Sequence, residues 1–201
     1  RGSLVSQGPQ MGDDALFALA QDVSEGPGFL SLWRVNTRTG KLHELDVPPW
    51  SRGFLIDNQG EPLAALAAHG ETARLHWRDG DRWRLVQEHE RFFSHPFALL
   101  GLSPDGTVYV SSRSGHDQSA LYTYDPSTNT VSAKALLRLN QFDMEPALIF
   151  GKGKLLGVHV QADANTTVWL DEETQALQAA VDEKLPVTTN LLSLPRRGDS
   201  P

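Results

Sequence analysis

The sequence predicts an all-β chain, a partial β-propeller of about four blade-like antiparallel sheets followed by a short C-terminal helix, and three observations predict it. A turn rich in Gly, Asp and Asn recurs at Gly12-Asp13-Asp14, Asp57-Asn58-Gln59-Gly60, Ser103-Pro104-Asp105-Gly106 and Gly151-Lys152-Gly153, which spaces Asp14, Gly60, Gly106 and Gly153 by 46, 46 and 47 residues. A second marker, an apolar or aromatic strand ending on a polar turn residue, falls at Asn36, Asp79, Asp125 and Asp171 with spacings of 43, 46 and 46. Between the markers, apolar and polar residues alternate with the period of a strand. A repeat in the mid-forties holding several short strands is the signature of four-stranded propeller blades.

Taken in order, the blade-like units fill residues 1–170, at about 11–50, 51–96, 97–140 and 141–170. In the first, Leu32-Trp33-Arg34-Val35-Asn36 reads as a strand that turns at Thr39-Gly40, and in the second, Leu75-His76-Trp77-Arg78-Asp79 turns at Gly80-Asp81. Residues tolerant of positive φ close such hairpins. In the third unit Val108 and Val110 share one face while Thr107, Tyr109 and Ser111 share the other, which predicts a half-buried strand. Leu121-Tyr122-Thr123-Tyr124-Asp125 then turns at Pro126-Ser127-Thr128-Asn129. The fourth unit reaches Thr167-Val168-Trp169-Leu170-Asp171 and departs from the pattern. From Glu172 to Leu185 the chain reads as a helix: Asp171 caps it, acidic residues fill the first turn, Leu177, Ala180, Val181 and Leu185 form an apolar stripe, and Pro186 ends it. Residues 171–201 thus hold a helix, one further short strand at Asn190-Leu191-Leu192-Ser193-Leu194, and a polar linker from Pro195 to Pro201.

Composition narrows the function classes. Twenty-five acidic against 18 basic residues give a formal charge of −7, and the longest Lys/Arg run is Arg196-Arg197. Nucleic-acid binding, which needs clustered cations against phosphates, is not expected. The longest apolar runs, such as Leu63 to Ala68, are far short of the roughly 20 residues of a membrane-spanning helix, so no membrane association is expected either. With no cysteine, thiolate nucleophiles and Cys-ligated zinc are excluded. Cytoplasmic and periplasmic addresses both stay open.

The stretch Leu32 to Leu42 is similar to the recurrent blade hairpin of bacterial serine peptidases of the prolyl oligopeptidase family, the acylaminoacyl and dipeptidyl peptidases among them. Ser103-Pro104-Asp105-Gly106-Thr107-Val108-Tyr109-Val110-Ser111-Ser112, followed by Asp117 to Tyr122, resembles another of their blades. Gln175 to Pro186, leading into Asn190, resembles the segment before their hydrolase domain. The resemblance covers nearly the whole chain. It implies a non-catalytic propeller that gates or contacts peptide substrates, with the C-terminal α/β-hydrolase domain of a longer parent chain as its partner. In that family the nucleophile lies in Gly-x-Ser-x-Gly at a strand-to-helix elbow. The nearest approach here, Ser112-Arg113-Ser114-Gly115, lacks the leading glycine and falls in a predicted hairpin. No residue of this chain is therefore assigned a catalytic, cofactor-binding or metal-binding role, and whether the parent is an enzyme rests on the domain beyond it. The alternative is a stand-alone propeller-like scaffold for protein or glycan binding. Open sheet edges leave room for a homodimer in either case.

Other candidate sites read as structure. His43, His69, His76, His89, His95, His116 and His159 lack the i, i+4 and His-x-His spacings of common zinc sites. Gly151 to Gly157 has its third glycine one position late for a dinucleotide loop and no helix after it, so it reads as a hairpin. Asp79-Gly80-Asp81 and Asp171-Glu172-Glu173 do not continue into a calcium loop, and Asn165-Thr166-Thr167 is only a formal glycosylation sequon. A glycosidase would need paired carboxylates across a pocket, whereas Asp57, Asp105 and Asp125 recur at turns. The aromatic concentration Arg91-Phe92-Phe93-Ser94-His95-Pro96-Phe97, with Trp50 and Trp83, suits either packing between blades or a peptide-contacting surface.

Overall fold

A computed structural model describes residues 2–6, 13–21, 29–91, 96–139, 143, 146–161, 165–188 and 190–192. These residues form four antiparallel sheets and one helix. The first sheet holds β1 (Gly2–Ser6), β2 (Asp14–Gln21), β3 (Phe29–Asn36) and β4 (Leu42–Leu45); the second holds β5 (Ser51–Ile56), β6 (Pro62–His69), β7 (Thr72–Asp79) and β8 (Arg82–Glu90). The third holds β9 (Ala98–Leu102), β10 (Val108–Ser112), β11 (Ala120–Asp125) and the two-residue β12 (Thr130–Val131). The fourth holds β13 (Ala147–Gly151), β14 (Lys154–Gln161) and β15 (Asn165–Trp169), after which the chain enters α1 (Glu172–Lys184). Strands adjacent in sequence are adjacent in every sheet, so the chain is all-β with blade-like meanders and a short C-terminal helix.

The two sequence markers occupy two fixed points of this meander. Gly60, Gly106 and Gly153, at φ of +83, +88 and +80°, sit between the first and second strands of the second, third and fourth sheets. An L side chain resists that left-handed backbone, which is why glycine recurs there. Lys152 joins Gly153 at positive φ, the two-residue turn whose twist suits a hairpin. Asp14, the non-glycine member of the series, is the first residue of β2, and its Oδ1 accepts from Asn36 Nδ2 at 2.9 Å.

The second marker ends the third strand. Asn36 Oδ1 accepts from the Thr39 amide at 2.9 Å and Asp125 Oδ1 from the Ser127 amide at 2.9 Å, bracing the turns that follow. Asp171 does the same chemistry with another result: its Oδ2 accepts from the Thr174 amide at 3.1 Å, and a helix follows instead of a fourth strand.

The chain divides into two compact units, Arg1–His95 and Pro96–Pro201. In the first, the fully buried Leu16 and Leu32 pack with Leu45, Val47, Phe54 and Ile56, joining the two sheets of that unit. Burial of each such leucine is worth about 1.5–3 kcal/mol. Arg34 on β3 reaches the β5–β6 turn and donates to Gly60 O at 2.9 Å and Glu61 Oε1 at 2.7 Å. In the second unit Tyr109 and Leu121 pack with Leu155, Val158 and Val160 of β14, and Leu148 and Phe150 of β13 lean on the same cluster.

Three expectations need correction. β10 is buried along its whole length, not on one face. It is an inner strand: Tyr109 packs on the fourth sheet, while Val108 and Val110 pair with Tyr124 and Tyr122, and Phe97 lies 4.7 Å from the Tyr124 ring. The helix starts and is capped where expected, but its apolar stripe is not a packing face, since Leu177 and Leu185 are 51% and 50% exposed. Polar contacts decide how it docks, with Thr174 its buried residue and Gln175 and Gln178 bonded to Trp169. Asn190 to Leu192 form no strand. The Asn190 carbonyl accepts from Gln178 and its side chain donates to Asp182, which folds the segment back on the helix. Ser193, Leu194 and the linker beyond lie outside the described residues.

Candidate functional site

A cleft of about 380 Å³ opens on one face of the second sheet, and the register of β6 and β7 builds it. Gly70, at φ +58°, and Glu71 make a two-residue turn that pairs His69 with Thr72, Ala67 with Arg74 and Ala65 with His76. Directly paired residues share a face, so this register lines up His69, Thr72, Arg74 and His76 on one side. Glu88 of β8 stands opposite Arg74, and Glu88 Oε2 accepts from Arg74 Nε at 2.5 Å. Leu85, Pro49, Ala67 and Ala68 supply apolar lining.

Trp50 forms one wall. It stands just before β5 at φ +63°, a left-handed conformation that is strained for a bulky residue, and its carbonyl accepts from the Ala68 amide at 3.0 Å. The indole tilts over His69 with centroids 4.3 Å apart and meets Phe29 edge-on at 5.3 Å. His76 is held below its ordinary value of 6.5, first by desolvation and then by the charge of Arg74, so its ring is neutral at pH 7. The cleft therefore combines a fixed aromatic plate, a neutral imidazole and one guanidinium–carboxylate pair.

The sequence names Trp50, His69 and His76 separately and does not bring them together. A two-residue register across Gly70-Glu71 was the available signal, since it brings His69 and His76 to one face despite their spacing. Trp83 lies on β8, with Arg78 Cζ 5.2 Å from its ring, and Phe97 is buried. Phe92, Phe93, Ser94 and His95 lie outside the described residues.

The remaining candidates are placed as follows. His43 is on β4, His89 on β8, His159 on β14, where it meets Thr167 Oγ1 at 2.7 Å, and His116 in the β10–β11 turn. Gly151 to Gly157 spans the β13–β14 hairpin and runs into a strand. Asp57 Oδ1 accepts from the amides of Gln59 and Glu61, both at 2.8 Å, and Asp105 Oδ1 from the Thr107 amide at 3.0 Å. Each carboxylate is thus folded back on its own turn. Ser112 Oγ donates to Pro96 O at 2.8 Å, at the end of a strand followed by a turn rather than a helix. The Asn165 side chain lies outside what the structure describes, although its backbone is in β15.

Comparison with protein-family models, with curated proteins and with solved structures returned no match to this chain.

Proposed function

We propose that this chain is the non-catalytic, propeller-like part of an α/β-hydrolase serine peptidase, and that it contacts peptide substrates through the Trp50 cleft. The observation that carries the reading is the cleft itself. Its indole plate and Leu85 suit an apolar or aromatic side chain, while Arg74 and the neutral His76 can meet main-chain carbonyls beside it. The blade-like repeats and the capped helix support the propeller part of the reading, because four-stranded meanders at a fixed period are what blades are made of. The chemistry is assigned to a hydrolase domain encoded downstream.

Two measurements test this together. Reading the parent gene should show Gly-x-Ser-x-Gly, then Asp and His, after the helix. Titration of the chain with short apolar peptides, followed by calorimetry, should report binding that Trp50→Ala weakens by about tenfold. A parent frame without a hydrolase removes the peptidase reading. Saturable binding of a neutral oligosaccharide, with no response to peptides, turns the cleft into a glycan site.

A further inference from the structure

Among the described residues the fourth sheet has three strands where each of the other three has four. Its outer strand is β15, and the hydrogen-bonding phase of that strand can be read directly. The Leu170 amide donates to Leu156 O at 2.8 Å while Trp169 pairs with Gly157, so Trp169 and Gly157 form a non-hydrogen-bonded pair. By alternation Thr167, opposite His159, is in the same phase. The main-chain N–H and C=O of Thr167 and Trp169 therefore point away from β14, toward the side on which a fourth strand would pair. The Trp169 carbonyl is already taken, by Gln175 Nε2 of α1 at 2.8 Å. Thr167 has no main-chain partner on that side among the described residues.

Thr167 also lines a groove of about 390 Å³ between β15, α1 and the segment after it, with Thr166, Gln178, Asp182, Leu185 and Leu191 among its other lining residues. Leu185 and Leu191 are exposed apolar residues. Asp182 accepts hydrogen bonds from Gln178 and Asn190 and has no cationic partner among the described residues. Acidic residues dominate the helix: Glu172, Glu173, Asp182 and Glu183 against Lys184.

We propose that the outer edge of β15 receives a fourth strand from a partner protein, an extended segment that alternates apolar residues with Lys or Arg. Main-chain bonds to Thr167 supply the pairing, Leu185 and Leu191 meet the apolar side chains, and Asp182 takes the cation. Gln175 sets the far limit of the added strand, because it already caps Trp169.

The test is an amide NMR titration of the full chain with acetyl-Val-Lys-Val-Thr-Val-amide. Thr166 and Thr167 should shift, and the Thr167 amide, fast-exchanging in the free chain, should become protected. Asp182→Asn, which keeps an acceptor for Gln178, should weaken binding by about threefold, the reach of one exposed ion pair. The same peptide with its lysine replaced by glutamate should bind more weakly than the lysine peptide, and a backbone N-methylated version should fail to protect Thr167. Equal binding of the N-methylated peptide, or no shift at Thr167, overturns the proposal. So does a Thr167 amide already protected in the free chain: independence from concentration would then identify an internal occupant, and dependence a second copy.

Discussion

The ammonium of Lys154 lies 2.6 Å from Asp171 Oδ1, while the other oxygen of the same carboxylate receives the amide and hydroxyl of Thr174. One side chain therefore ties the start of β14 to the start of α1. The Lys154 hydrogen bond first, and the Thr174 bonds next, hold the Asp171 carboxyl at about 2, against an ordinary 3.8. A carboxyl that is more acidic folded than unfolded contributes stability above ~pH 4 and loses it as pH falls through the folded value. Helix α1 should accordingly melt between ~pH 4 and ~pH 2 in an acid titration followed by circular dichroism and the Thr174 amide. Asp171→Asn should keep the helix at pH 7, since asparagine also caps, and flatten that acid transition; Asp171→Ala should lose helix at every pH.

Gly157 is predicted to be irreplaceable on steric grounds alone. A Cβ there would lie 2.7 Å from Trp169 Cε3 and 2.7 Å from the main-chain oxygen of Val168, neither of which can move freely inside a paired strand. Gly157→Ala should destabilise by about 1–3 kcal/mol, toward the upper end, in chemical denaturation. Gly153→Ala makes the contrast. It has open space around it but a φ of +80°, so its loss of about 1–2 kcal/mol should come from the backbone.

His76 makes the second sheet sensitive to mild acid. Its folded value is depressed, so the unfolded chain binds the proton first, and stability is full above ~pH 6.5 and falls as pH drops below it. The charged neighbours that face it across the cleft are Arg74 and Glu88, with His69 on the same face. Arg74→Met should raise the His76 midpoint in an imidazole NMR titration, by removal of the smaller of its two causes, and should leave the larger desolvation effect in place. A midpoint unmoved by Arg74→Met would place the whole depression in burial.

Leu121 and Leu66 should separate core from surface. Leu121 is fully buried where β11 meets the fourth sheet, so Leu121→Ala should cost about 2–5 kcal/mol. Leu66 is 46% exposed, and its alanine variant should cost far less. Denaturant midpoints of the two variants check this.

What could be read in the sequence was whatever depends on one residue's backbone. Gly60, Gly106 and Gly153 announce left-handed turns because few other residues accept that conformation, and the repeat follows from them. The start of α1 was readable for a similar reason: Asp171 caps it with its own side chain. What escaped depends on a second sheet or on pairing with a second strand. Alternation along Val108 to Ser112 describes one sheet and cannot report that another packs on Tyr109. The Trp50 cleft escaped because it needs the pairing of His69 with Thr72 before Arg74 and His76 fall beside it. The exposed stripe of α1 shows the converse, an apolar pattern that polar contacts from Gln175 and Gln178 overrule.

Asn36, Asp79, Asp125 and Asp171 occupy one slot, yet three lead to a hairpin and the last to a helix. After the first three, a residue with left-handed backbone arrives within four positions, at Gly40, Gly80 and Asn129. Glu172 to Gln175 contain none. The side chains of Asn36, Asp125 and Asp171 each brace the turn that follows, and the handedness of a single later residue separates the segments that reverse from the one that winds on. The fourth sheet departs from the shared pattern by lacking this turning residue, not its aspartate. One turning position thus separates a hairpin from a helix at the end of an otherwise shared strand motif.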